Sequence, residues 1–265
     1  MTLTVCSWNI NSLRLREGLV RRLLERERPD ILCLQELKGR AERLPLGAFA
    51  DLGYRWVVAR TQKGYNGVAI ISRIPVEDAG HHDFCALGDA RHVAARLPGG
   101  IVIENFYVPA GGDIPDPEAN PKFDHKLRFL REMAARCAAA PPRATILAGD
   151  LNIAPREDDV WSHRQLLDVV SHTPVEVAHL DAVARAGGWA DVIRTLQPEG
   201  RLYSWWSYRA RDWDASDRGR RLDHVWASPD LIGRARGWRI LREARGWEQP
   251  SDHAPVLASF DLDPA

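Results

Sequence analysis

Long hydrophobic runs are missing from this chain. No apolar stretch approaches the ~18 residues that a membrane-spanning helix needs, so a transmembrane helix is excluded. The opening segment MTLTVCSWNI has neither the basic stretch nor the apolar run of a secretory signal. Cysteine is scarce, and Cys6, Cys33, Cys85 and Cys137 make no C-x-x-C spacing. They read as buried, reduced thiols, and a cytoplasmic location is expected. Net charge is missing too: 36 basic residues balance 36 acidic ones, so the total gives no sign of a nucleic-acid partner. Repeats, low-complexity tracts and linkers are absent. The 265 residues are therefore expected to form one domain, 1–265, around one large core.

The charge that is present is unevenly placed. Between Arg201 and Arg245 eleven Arg stand against six acids, whereas between Asp150 and Glu199 nine acids stand against four Arg. Strand-like runs recur along the chain, among them LTVCSWN (3–9), ILCLQE (31–36), GVAIIS (67–72), IVIENFYV (101–108), ATILAG (144–149), LYSWWS (202–207) and APVLASF (254–260). Helical periodicity appears at 17–27, strongly at 121–140, and again at about 179–186. Many short, consecutive strands with few helices predict an α/β fold. Its expected form is a four-layer α-β-β-α sandwich of two mixed, largely antiparallel sheets flanked by helices.

Several strands end in the same chemical way. ILAGDLNIAP (146–155) carries an apolar run straight into Asp150 and Asn152. WNIN adds Asn9, LQELK adds Glu36 and Lys38, and NFYVP adds Asn105 and Tyr107. Asp223 sits on the strand starting at Leu222, and PSDHAPV puts Asp252 and His253 before the last strand. One such placement is an ordinary turn or cap. Six of them predict convergence at one edge of the sandwich, where unpaired carboxylates would need a cation or protons. Glu36, Asp150 and Asp252, with the amides of Asn9 and Asn152, are hard oxygen ligands suited to Mg²⁺ or Mn²⁺. Only His253 offers nitrogen. Phosphoester hydrolysis is the chemistry such a set serves.

The motifs WNIN, LQELK, GYNGVAIISR, YVP, GDLN, RLDHVWAS and SDHAPV, in this order, resemble the exonuclease III family of abasic-site endonucleases. That family belongs to the deoxyribonuclease I-like endonuclease/exonuclease/phosphatase superfamily, and the resemblance runs from about residue 3 to 260. It implies that Asn9 and Glu36 help hold the metal and that Asp150 activates or orients the attacking water. Asn152 would bond a phosphate oxygen. His253, oriented by Asp223, would bond the scissile phosphate, and Asp252 would lie near the metal. Tyr107 would contact the phosphate or stabilise the leaving group, and Asn66 the DNA backbone. The metal set it implies is thus Asn9, Glu36, Asp150, Asn152, Asp252 and His253.

Three positions depart from the family pattern: Ser12, Ala110, and Arg220, which stands where some abasic-specialised relatives carry an aromatic residue. Trp205 is expected to line an abasic pocket. The irregular loop YRARDWDASDRGRR (208–221) is expected to grip DNA through Arg211 and Arg218, with Trp213 wedging or stacking at a base step. The expected activity is metal-dependent cleavage 5′ to abasic sites and trimming of 3′ ends, by a monomer acting on duplex DNA. The rival readings are a phosphatase or phospholipase of the same superfamily and a protein that binds damaged DNA without cutting it.

Overall fold

The computed structural model describes residues 2–262. The chain opens with β1 (Thr2–Asn9), α1 (Leu13–Glu27), β2 (Ile31–Gln35), β3 (Trp56–Arg60) and β4 (Val68–Ser72). It continues through β5 (Glu77–Gly80), β6 (His92–Arg96), β7 (Val102–Tyr107), α2 (Pro121–Ala139) and β8 (Thr145–Asp150). Then come α3 (His163–Leu166), α4 (Pro174–Gly187), β9 (Ala190–Asp191), α5 (Val192–Leu196) and α6 (Trp213–Ser216). β10 (Asp223–Ala227), β11 (Ala235–Ile240) and β12 (Val256–Asp261) close the chain.

Two six-stranded sheets form, ordered β11-β12-β1-β2-β4-β3 and β5-β6-β7-β8-β10-β9. Only β1/β2 and β7/β8 pair in parallel, so both sheets are mixed and largely antiparallel. Strands apolar on both faces must be covered on both. Leu3, Val5, Ile31, Cys33 and Ile70 meet Ile103, Ile146, Ala148 and Val225 between the sheets. The opposite face of the first sheet, with Cys6, Trp8, Leu32 and Leu34, is covered by Val20, Leu23 and Leu24 of α1. Phe106, Leu147 and Trp226 of the second are covered by α2 and α4. This is the expected α-β-β-α sandwich.

Caps set the helix boundaries. Asn120 accepts from the Lys122 amide ahead of Pro121, starting α2. A Thr173/Glu176 capping box starts α4 at Pro174, well before the periodic stretch read at 179–186. The strand expected at 202–207 does not form. Trp205 instead makes single bridges to Arg220 on one side and His253 on the other, because the chain there crosses between two segments rather than running along one. The loop 208–221 is not irregular throughout either. Asp212 accepts from the Ala215 amide and caps the one-turn α6.

A buried ion network ties these late segments to the second sheet. Arg221, fully buried, grips Asp159 through Nε (2.7 Å) and Nη2 (2.9 Å) and reaches Asp191 through Nη1 (2.7 Å). Arg194 Nη2 adds a contact to Asp159 Oδ1 at 2.5 Å. Burial opposes ionisation here, yet Arg221 holds both carboxyls below the ordinary range. Removing one partner of such a buried group leaves uncompensated charge. Arg221→Met is expected to lower stability by about 3–5 kcal/mol in urea unfolding at neutral pH. The depressed carboxyls stabilise the fold fully above their unfolded pKa of about 4 and lose that contribution as pH falls through their folded values. The difference between wild type and variant should therefore shrink on acidification. A small difference at pH 7, or one that grows in acid, contradicts this role.

Candidate active site

Strand polarity explains why distant polar residues meet. The parallel pairs set Asn9 beside Gln35 and Tyr107 beside Asp150, so four strands end at one edge. β10 runs antiparallel to β8 and begins there, with Asp223 opposite Asp150. His253 arrives at the same edge, where the Trp8 indole donates to its carbonyl at 2.9 Å. Beneath them the two sheets are stitched by amides. Gln35 Nε2 donates to Asn105 Oδ1 at 2.7 Å, and Asn105 Nδ2 donates to the Leu34 and Ala69 carbonyls.

Asp150 is the centre of the group. Gly149 before it admits no side chain, since a Cβ there would lie 2.1 Å from the Phe106 carbonyl oxygen. Asp150 Oδ2 accepts from Asn9 Nδ2 (2.9 Å) and Asn152 Nδ2 (3.1 Å), while Oδ1 accepts from the Asn152 amide (2.9 Å). The same Asn9 nitrogen donates to Glu36 Oε1 at 2.8 Å, which also accepts from the Tyr107 hydroxyl at 2.9 Å. Across the cleft, His253 Nδ1 lies 2.8 Å from Asp223 Oδ2, which also accepts from Ser204 Oγ at 2.7 Å. His253 Nε2 stops 3.7 Å from Asp150 Oδ2.

Burial, reinforced by Asp223 and Glu36, pushes the Asp150 carboxyl up to about 7. Burial works against charge on His253 as well. Asp223 and Asp150 outweigh it and raise the imidazole to about 10. The proton of this coupled pair rests on the histidine.

The donor set fits a hard divalent cation. Asp150, buried, and Glu36, partly buried, hold carboxylates either side of Asn9, and Lys38 Nζ already places a positive charge 2.7 Å from Glu36 Oε2. Asp150, Asp223 and His253 also bring one ligand atom each within 4.8 Å of one another. His253 bonds Asp223 through Nδ1 and leaves Nε2 toward Asp150, while Asp223 Oδ1 is buried without a partner. Asn9 is held by its neighbours too. Its oxygen accepts from the Asn11 amide at 3.0 Å, which turns the nitrogen, not the ligating oxygen, to the carboxylates. Asp252 has partners of its own: its oxygens accept from Trp205 Nε1 (2.9 Å) and Asn11 Nδ2 (3.3 Å).

The remaining candidates scatter around this centre. Asn66 is buried and donates to Gln62 Oε1 at 3.1 Å. Arg218 lies over the Trp161 ring at 4.7 Å, and Arg211 is exposed. Trp213 packs edge-on against Trp206 (5.4 Å) between Arg242 and Arg245, so it contributes a partly covered ring rather than a free one. A cleft of about 560 Å³ was not foreseen. Arg14, Lys38, Arg40, Arg43 and Lys63 line it, with Glu42 the single acid. Its sequence signal was three cations in six residues, 38–43. Lys126, wholly buried, was also missed: its Nζ donates to the Asn152 carbonyl at 2.8 Å and pairs with Glu176, bracing the GDLN turn from behind.

Two carboxylates poised for a divalent cation, facing an Asp-supported imidazole where the ends of two sheets meet, define a phosphoester hydrolase. The chain belongs to the endonuclease/exonuclease/phosphatase family, whose model matches residues 6–253. It is 30% identical to exodeoxyribonuclease III of Haemophilus influenzae, over 96% of this chain and 98% of that protein. Among solved structures it is similar to an AP endonuclease from Archaeoglobus fulgidus, with TM-score 0.91, 31% identity, and coverage of 98% of this chain and 100% of that one. It is similar also to a Neisseria 3′ phosphatase bound to a product DNA hairpin, with TM-score 0.89, 33% identity and coverage of 98% and 100%.

The His253–Asp223 pair yields a prediction about coupling. If Asp223 acts by fixing the charge and orientation of His253, losses from His253→Ala and Asp223→Ala should not add. The double variant should turn over a phosphodiester substrate about as slowly as His253→Ala alone. Rates that multiply the two single losses show independent roles.

Proposed function

We propose that this protein is a Mg²⁺- or Mn²⁺-dependent nuclease of base excision repair in the cytoplasm. It acts as a monomer on duplex DNA, cutting 5′ to abasic sites and removing 3′ nucleotides or blocking groups to leave 3′-hydroxyls. The observation that carries this reading is the Asp150 carboxylate set 3.7 Å from the His253 imidazole, at the strand ends where Glu36, Asn9 and Tyr107 also meet. That spacing is too short to hold a molecule between the two, so a phosphate and its attacking water would bind beside the pair, within reach of both. Four buried free cysteines accord with a reducing compartment.

A divalent ion held by Glu36 and Asp150, when bound, neutralises charge on the phosphoryl oxygens. The rest falls to this chain's own side chains. Asp150 orients the water that attacks phosphorus and accepts its proton. His253 Nε2–H, aimed by Asp223, donates to a non-bridging oxygen as negative charge grows there. Asn152, whose Nδ2 donates to Asp150 and to the Val108 carbonyl, fixes Asp150 and would bond a phosphate oxygen only by exchanging one of these partners. Tyr107, bonded to Glu36, stands near the departing 3′ oxygen as the P–O3′ bond breaks. Trp205 walls the space for a sugar without its base, and Asn66, Arg211, Arg218 and Trp213 support the strand around it.

A duplex with one abasic site should be nicked on its 5′ side, and EDTA should abolish the reaction. Asp150→Asn should lower turnover by roughly 10²–10⁴-fold while leaving duplex binding intact. Cleavage that persists in EDTA, or near-normal turnover by the variant, overturns the reading.

The basic cleft gives a second test, by titration of binding across a salt series. Arg40→Ala with Arg43→Ala should weaken duplex affinity and reduce the log–log salt slope by roughly 0.9 per lost phosphate contact. Arg211→Ala with Arg218→Ala should do the same if the 208–221 loop shares the load. An unchanged slope in either pair removes that pair from the DNA interface.

A further inference from the structure

Arg220 and Arg221 are chain neighbours in opposite circumstances. Arg221 is enclosed by Asp159 and Asp191. Arg220 is half-buried, and no carboxylate pairs with it among the described residues. Its Nη1 is occupied by the Val170 carbonyl (2.9 Å) and Ser171 Oγ (2.8 Å). Its plane lies over the Trp205 ring, 5.2 Å from the centroid. Arginine has five N–H donors in a planar fork. With Nη1 taken, the Nε/Nη2 edge is left, and Nε is buried with no hydrogen-bond partner. That edge is the one that receives a carboxylate or phosphate in bidentate fashion. A desolvated cation with an unfilled donor edge is costly unless an anion completes it.

The place of this fork gives the anion a position. Trp205 bridges to Arg220 on one side and to His253 on the other, and its indole is pinned by Asp252. Arg220 therefore stands on the far side of Trp205 from the imidazole that faces the reacting phosphorus. Two bridge spacings of about 4.8 Å each put the two backbones on the order of 10 Å apart. A group held there belongs to the nucleotide, or nucleotide fragment, beyond the scissile phosphate.

We propose that Arg220, stacked on Trp205, forms a second oxyanion subsite that selects substrates carrying a further negative charge one unit beyond the phosphate under attack. This rests on the nuclease reading above. Two sources supply that chemistry: the next phosphate of an intact strand at an internal abasic site, and the carboxylate of a 3′-phosphoglycolate end. A bare 3′-phosphate end has neither and serves as the internal reference.

The test compares wild type, Arg220→Gln and Arg220→Lys on three duplexes: an internal abasic site, a 3′-phosphoglycolate end and a 3′-phosphate end. Each is read by kcat/KM with Mg²⁺ and by binding affinity in EDTA. Arg220→Gln should lose roughly 10- to 100-fold, the range of a charge-assisted hydrogen bond, on a substrate with the second anion. Its activity on the 3′-phosphate end should move little. Arg220→Lys, which keeps the charge but not the fork, should recover part of the loss. A loss confined to phosphoglycolate identifies the carboxylate as the occupant. A loss confined to the internal site identifies the next phosphate, and a loss on both supports a general oxyanion site. Equal losses on all three duplexes, or none, overturn the proposal and leave Arg220 as a brace for the 170–171 turn. If wild type cuts none of them, the nuclease reading fails instead, and the binding comparison still decides whether Arg220 discriminates.

Discussion

Everything at this edge follows from placing the Asp150 carboxylate at the end of a strand buried between two sheets. Water cannot solvate it, so the protein must supply what water would have. The response is layered. Asn9 and Asn152 donate to its oxygens, His253 brings a positive charge across the cleft, and Asp223 keeps that charge on the histidine. Glu36, also mostly enclosed, shares the Asn9 nitrogen and adds the second carboxylate. Negative charge in the buried centre exceeds the positive charge of His253. A substrate phosphate would worsen that balance, so a divalent cation is the natural complement.

The backbone carries part of the load. Glu36, Lys38, Asn66 and Asn152 all adopt positive φ between 49° and 54°, and Asn11 and Ser12 are positive as well. Non-glycine residues pay strain to sit there, of order 1 kcal/mol or more each. Strain of this kind persists where surrounding structure over-determines it. Here the turns after β1, β2 and β8 fold back sharply so that their first polar side chains return over the strand ends. Lys126 shows how one turn is held: its ammonium, sealed from solvent, bonds the carbonyls of Ala110 and Asn152 and rests on Glu176, which in turn caps α4. The site is thus braced by the same helices that cover the second sheet.

Much of this was legible in the sequence because it is periodic or local. Continuous apolar runs located the central strands, the helical periodicity at 121–140 located α2, and polar residues after apolar runs placed Asn9, Glu36, Tyr107 and Asp150 at strand ends. The exact roles of Asn9, Asp252 and His253 were not legible. Each depends on which atom faces which neighbour, and that is decided by long-range partners such as the Asn11 amide, the Trp205 indole and Asp223. The 202–207 segment misled for a related reason. LYSWWS has strand composition, but its backbone is divided between Arg220, Asp252 and His253, so pairing never extends. Starts of helices were missed where the cap lay outside the apolar stripe, as at Thr173.

A neutral total charge conceals a division of labour among the arginines. Arg194 and Arg221 each hold a carboxylate inside the fold, where their charge is consumed, and Arg136 and Arg242 pair with carboxylates nearer the surface. Arg14, Arg40, Arg43 and Lys63 line an open cleft, and the single acid among them leaves most of that charge uncompensated. The pairing pattern, rather than the sum, determines where a polyanion can settle, because a cation already desolvated and paired offers phosphate nothing new, whereas a solvated one releases counterions on contact. Lys38 joins the two populations. It lines the basic cleft and also touches Glu36, so the positive charge of the cleft runs directly into the carboxylates of the site.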